Sequence, residues 1–138
     1  MDKTLTLAQG QAVLSAALAH AESSGLSLNV AVVDAAAHLL TFARQDGAIL
    51  GSIDISCRKA RTAALMRRPT AEFAVTAAPG GPVYGLEVTN GGLALFGGGV
   101  LLTIPDGTVV GAVGVSGGSV AEDCAAADAG AAVLSGPA

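Results

Sequence analysis

Residues 100–116, VLLTIPDGTVVGAVGVS, decide the fold. The apolar runs 100–104 and 108–116 are rich in β-branched side chains, and Pro105-Asp106-Gly107 between them is turn chemistry, so the stretch reads as a β-hairpin. In the second arm Val109, Val113 and Val115 point one way with Gly111, while Val110, Ala112 and Gly114 point the other. Small residues at 111, 112 and 114 let a helix or a ligand approach this strand closely.

Upstream, 27–34 (SLNVAVVD) and 38–44 (HLLTFAR) read as two short strands separated by three alanines. Leu28, Val30 and Val32 share one face and Ala31 and Val33 the other, which places the first of these strands centrally in a covered sheet. A further strand is expected over 92–96, broken from 100–104 by Gly97-Gly98-Gly99. Thr6-Leu7-Ala8-Gln9 has the form of a capping box, starting a helix at Leu7 that Gly25 closes, with Leu7, Leu14, Leu18 and Ala21 on its core face. Ser119-Val120-Ala121-Glu122 is a second such box, opening a last helix lined by Val120, Cys124, Ala127, Ala131 and Leu134.

A long second helix is expected from about 48 to 67, ended by Pro69. Its apolar stripe reads Ile49, Ile53, Cys57, Ala60 and Ala64, yet the opposite side carries Ile55, Lys59, Thr62 and Met66. That is not a solvated face, so the helix is expected to be covered on both flanks, by a pocket or by a second subunit. From 70 to 90 the pattern supports at most one short helix and a loop through Pro79-Gly80-Gly81-Pro82. Strands paired through turns, with helices packed on them, make an α+β domain with an antiparallel sheet over 1–138.

The chain has 138 residues, 51% hydrophobic and 13% charged, with 19 glycines. That much apolar surface offsets the entropy of ordering and excludes a disordered chain. A net charge of −4 and 3% aromatic residues oppose nucleic-acid binding, which draws on basic surfaces and stacking side chains. The longest uncharged run, 88–105, contains Asn90 and five glycines and makes a poor membrane helix, so no membrane insertion is expected. No secretory segment is evident and the expected location is cytoplasmic. Cys57 and Cys124 fall on apolar stripes and read as reduced core residues.

Five of the seven basic residues, Arg58, Lys59, Arg61, Arg67 and Arg68, lie within eleven positions. Helical spacing puts Arg58, Arg61 and Arg68 on one side with Asp54, either as a solvated face with an Asp54–Arg58 pair or as a site for carboxylates or phosphates. Lys59 is bracketed by Ile55, Thr62 and Met66, where an ammonium either meets an anion or loses proton affinity. The glycine clusters match no P-loop or dinucleotide motif. His20, near the end of the first helix, and His38, opening a strand, match no zinc spacing, so no metal site is expected. Gly114-Val115-Ser116-Gly117-Gly118 has the outline of a nucleophile elbow but lies in an antiparallel sheet of a short chain, without the context that motif needs.

Val32-Val33-Asp34, Arg44-x-Asp46-Gly47-Ala48, Lys59-Ala60-x-Thr62-Ala63, Pro79-Gly80-Gly81-Pro82-x-Tyr84-Gly85, Asn90-Gly91-Gly92, Phe96-Gly97-Gly98-Gly99 and the run from Gly111 through Ser116-Gly117-Gly118 to Asp123 together resemble the GlcG/HbpS-like family. The family also supplies the C-terminal domain of PduO-type proteins. The resemblance spans nearly the whole chain in order. It implies a profilin-like domain with a five-stranded antiparallel sheet and assembly into a homo-oligomer, often an octamer. It also implies a ligand: some members bind haem, and one is an extracellular haem and redox sensor partnered with a membrane kinase. The chain departs from the family at Ala36-Ala37, where glycines are common, and at Gln45, where a methionine is common.

The first functional expectation is therefore a protein binding haem or a small anionic ligand. Lys59, Thr62, Arg44, Asn90, Phe96 and Gly97-Gly98-Gly99 would line its site, with His20 and then His38 as axial candidates. The alternative is a small cofactor-independent enzyme of isomerase, lyase or cyclase type acting on a carboxylate-bearing metabolite. There Lys59 would bind or protonate, and Asp46 or Asp34 would serve as acid or base. A purely structural oligomer is the third.

Overall fold

A computed structural model describes residues 3–135. Helix α1 runs Leu7–Ser23, strand β1 Asn29–Asp34, β2 Leu39–Arg44, helix α2 Gly51–Met66, β3 Gly99–Thr103, β4 Val109–Ser116 and helix α3 Val120–Ser135. Between α2 and β3 the chain makes only two 3₁₀ turns, Thr70–Phe73 and Leu86–Val88.

Both capping boxes form. The Thr6 hydroxyl accepts from Gln9 N–H at 3.1 Å while the Gln9 side chain accepts from Thr6 N–H at 3.0 Å. Ser119 and Glu122 make the same reciprocal pair at 3.1 and 2.9 Å. Each satisfies two amides that a helix start leaves without partners.

The sheet is antiparallel with strand order β2-β1-β4-β3. It has four strands, not the five expected. Residues 92–96 do not join it, because their amides are satisfied elsewhere: Leu93 N–H donates to Glu87 O at 2.9 Å, and Ala94 N–H donates to the Thr62 hydroxyl on α2 at 3.1 Å. The chain there runs along α2 instead of beside a strand.

Alternation divides the core along β1, and along β4 from Gly111 to Val115, as the sequence implies, but Val110, expected beside Ala112 and Gly114, joins Val113 and Val115 because the β3–β4 register shifts between Leu102 and Thr103. Val30, Val32, Val113 and Val115 pack with Val13, Ala17, Ala126 and Ala127 of α1 and α3 on one face. Ala31, Val33 and Ala112 meet Ala60, Ala63 and Ala64 of α2 on the other. Complete burial of each valine contributes about 1.5–3 kcal/mol.

The helix faces differ from the apolar stripes. In α1 the buried residues are Gly10, Val13, Ala17 and Ala21, with Leu14 and Leu18 only partly covered and Leu7 exposed. In α2 they are Ser52, Ser56, Lys59, Ala60, Thr62, Ala63 and Ala64, and Ile49 lies outside the helix, exposed. In α3 they are Asp123, Ala126, Ala127 and Gly130, with Val120 exposed. Volume explains the second case. A methyl at Gly114 of β4 would collide with the Ser56 carbonyl and the Ala60 amide of α2, so the helix lies too close to the sheet for isoleucine to face it.

The other flank of α2 is covered by the chain itself. Thr62 holds residue 94, and Met66 packs on a small third cluster of Phe73, Leu93 and Leu95.

Candidate functional site

Lys59 lies at the centre of the molecule, completely buried on α2 between β4 and α3. Its Nζ donates to Val115 O at 2.8 Å and to Asp123 Oδ2 at 3.1 Å, and stands 4.9 Å from the centroid of the Phe96 ring. The Asp123 carboxylate also accepts from Gly118 N–H at 2.9 Å, so both of its oxygens are held. Burial pushes the Lys59 ammonium down from its ordinary value, and the Asp123 charge pushes back. Burial likewise raises the Asp123 carboxyl, against the Gly118 and Lys59 hydrogen bonds. The lysine meets its anion inside the fold. This ion pair ties α2 to the start of α3 across β4.

The glycines beside it are there for clearance. Gly98 has φ +128°, and a Cβ at that position would lie 2.6 Å from both Lys59 Nζ and Val115 O. Gly97 faces the Cys124 Sγ in the same way. Lys59, Phe96 and Gly97-Gly98-Gly99 are thus brought together around one ammonium, with Thr62 a turn along α2.

The remaining sequence candidates stand apart from this centre. Arg44 and Asp46 line a cleft of about 560 Å³ with Leu18 and Glu22 of α1. Asp34 closes the β1–β2 turn, its Oδ1 accepting from Ala36 and His38 N–H at 2.9 Å each. His38 is exposed there, its Nδ1 3.9 Å from Asp34 Oδ2. His20 lies in the last turn of α1, half-buried. Asn90 adopts φ +53° in a turn whose carbonyls face the arginines of α2.

Space for a larger apolar ligand lies on either side of the third cluster. One cleft of about 430 Å³ is lined by Met66, Phe73, Pro82, Val83 and Leu86 together with the polar Arg68 and Thr76. A second of about 350 Å³ is lined by Ala74, Ala77, Leu93, Leu95 and Phe96 with Glu87. Large apolar side chains stand in solvent around them: Val75 is 81% exposed, Val88 82% and Tyr84 63%. They form an exposed apolar stretch on the one segment 70–88. Sequence reasoning did not find it, because the weak periodicity of 70–90 hides a cluster that forms only against Met66.

The whole chain is similar to known proteins. The family model described as haem degrading protein HbpS-like matches residues 5–132. The chain belongs to the HbpS-like family. It is 41% identical over 121 residues to an uncharacterized 15.0 kDa protein from the dhaT-dhaS intergenic region of Citrobacter freundii, covering 87% of this chain and 84% of that one. The crystal structure of Klebsiella pneumoniae protein ORFY superposes with a TM-score of 0.94 at 34% identity, over 100% of this chain and 95% of that one. The crystal structure of the PduOC:heme complex superposes with a TM-score of 0.87 at 32% identity, over 95% of each chain. Haem binding is thereby a property within the family. No helix among the described residues is long and apolar enough to cross a membrane.

Haem needs an apolar slot, cations for its two propionates and a donor for iron. The cleft of Met66, Phe73 and Leu86 offers apolar walls, one cation in Arg68 and one thioether in Met66 among its lining residues. Neither His20 nor His38 is among the residues lining it.

Proposed function

We propose that this protein binds haem in the apolar cleft between the end of α2 and the segment 70–88, as a haem-handling member of the HbpS-like family. One observation carries the reading: a chain alike over 95% of its length has been crystallised with haem, and this chain has an apolar cleft with a cation among its lining residues. Bound haem would supply redox and ligand-exchange chemistry at iron. The protein's own part is to exclude water with Phe73, Val83 and Leu86 and to hold a carboxylate with Arg68.

His20 and His38 are the imidazole candidates for the axial position and Met66 the thioether candidate. Since neither histidine lines the cleft, a histidine ligand would have to come from a second protomer. The exposed side chains of Val75, Tyr84 and Val88 support such an assembly, and the octameric state common in the family is the state we propose.

The acid–base alternative draws no support from the geometry. Lys59 is sealed against Asp123, Asp34 caps its own turn, and Asp46 lines a separate cleft.

Haemin titration followed in the Soret band, with native mass spectrometry of the product, tests the proposal. A shifted Soret band saturating at one haem per chain is expected. No shift refutes haem binding. A spectrum unchanged in the His20→Ala, His38→Ala double variant but altered in Met66→Leu removes the histidines, and the reverse removes the thioether.

A further inference from the structure

Arg58 and Arg61 stand one turn apart on α2, and both reach the turn 89–92. Arg58 Nε donates to Asp54 Oδ2 at 2.6 Å, and its Nη1 donates to Gly91 O at 2.7 Å and Gly92 O at 3.0 Å. Arg61 Nη1 donates to Asn90 O at 2.6 Å. The turn passes through the left-handed region at Asn90, Gly91 and Gly92, with φ of 53°, 73° and 108°. A side chain at Gly92 would collide with the Arg58 guanidinium, so the close approach depends on glycine. Beside these groups opens a cleft of about 400 Å³ lined by Asp54, Cys57, Arg58, Arg61, Asn90 and Gly91.

We propose that this cleft binds the carboxylate of a small organic acid. A guanidinium carries five N–H donors in a fixed fork. Among the described residues, Arg58 uses its Nε and Nη1 on protein acceptors and leaves Nη2 to a ligand; Arg61 uses only Nη1 and leaves Nε and Nη2. Both forks are tethered to backbone carbonyls, so much of the entropy cost of ordering two long side chains is met before a ligand arrives. A planar carboxylate matches such a fork in bidentate fashion.

Charge selects among anions by the group that the forks hold. Two guanidiniums against the single Asp54 carboxylate leave one net positive charge, which one carboxylate neutralises while the far end of a dicarboxylate such as succinate stays in solvent, whereas phosphate brings both of its charges to the same point. The Cys57 thiol in the cleft is pushed up by burial and by the Asp54 charge, so it stays neutral and does not compete as an anion.

The site stands apart from the haem reading. It uses the exposed side of the middle of α2, and its ligand is tested without haemin present.

Calorimetric titration of the full chain with succinate, and separately with inorganic phosphate, tests it. Saturable succinate binding is expected, with phosphate weaker. Arg61→Gln should weaken succinate by about ten- to a hundredfold, the range for hydrogen bonds to charged groups. Arg61→Lys, which keeps the charge but not the fork, should stay weakened, and Lys3→Gln, a cation removed that does not line this cleft, should change nothing. Succinate should also slow alkylation of Cys57 without slowing that of Cys124, a readout on the unaltered protein that does not depend on a variant folding. Absence of saturable heat at millimolar succinate, phosphate binding as tightly, unchanged affinity in Arg61→Gln, or unprotected Cys57 each overturns the proposal.

Discussion

Removing the Lys59 charge is the sharpest test of the buried pair. Lys59 is fully buried and the Asp123 side chain is 4% exposed, so Lys59→Met leaves a carboxylate inside the protein with only the Gly118 N–H for company. At 3.1 Å the two charges attract by about 5 kcal/mol at an effective dielectric constant of ~20, a gain that the desolvation of both ions largely cancels. Removing one partner keeps the desolvation and loses the attraction, which costs about 3–5 kcal/mol. For a chain of this size the unfolding entropy makes that a fall of about 10–17 °C in Tm. The double variant Lys59→Met, Asp123→Asn buries no charge, and the new amide oxygen still accepts from Gly118, so it should return to within about 2 kcal/mol of the parent. Thermal and urea unfolding at one fixed protein concentration measure this, since assembly would otherwise shift the midpoint. The reasoning is refuted if the single variant loses less than about 1 kcal/mol, or if the double variant is less stable than the single.

Gly114→Ala should destabilise by about 2–3 kcal/mol by forcing α2 away from β4, read from the denaturation midpoint, and an unchanged midpoint would show that the helix can shift freely. Burial first, and the Asp54 charge second, raise the Cys57 thiol above its ordinary value near 9, while a hydrogen bond with Ser56 opposes them. Its alkylation rate should therefore rise with pH along a curve displaced to higher pH than that of a free cysteine. Asp54→Asn should move the curve back towards lower pH, and an unmoved curve would remove Asp54 from the account.

The chain alone makes some of this molecule legible. Both capping boxes, the hairpin around Pro105-Asp106-Gly107 and the two faces of β1 rest on residues within a few positions of one another, and all three form as read. The resemblance carried in the glycine motifs also holds at family level. What did not survive is instructive. The stripe Ile49, Ile53 and Cys57 looked like the core of α2, but Gly114 brings the backbone of β4 so near that small serines and alanines take that place. Hydrophobicity pointed one way and volume decided the other. The run 92–96 has strand composition, yet its Leu93 and Ala94 amides are taken by a loop carbonyl and by Thr62, so it lies outside the sheet.

The site shows the same division. That Lys59 needs an anion follows from its apolar neighbours on the helix, a matter of local spacing. That the anion is Asp123, 64 positions away, follows only from α3 beginning beside β4 and α2. One signal was available: Asp123 falls on the Ala126, Ala127, Gly130 face of α3, an acid on an otherwise small and buried stripe. Local composition therefore sets element type, capping and strand alternation, because those depend on neighbours three or four residues apart. Which charges meet, which side chains fit between helix and sheet, and where clefts open are settled by contacts between distant segments, whose distances no window of sequence contains.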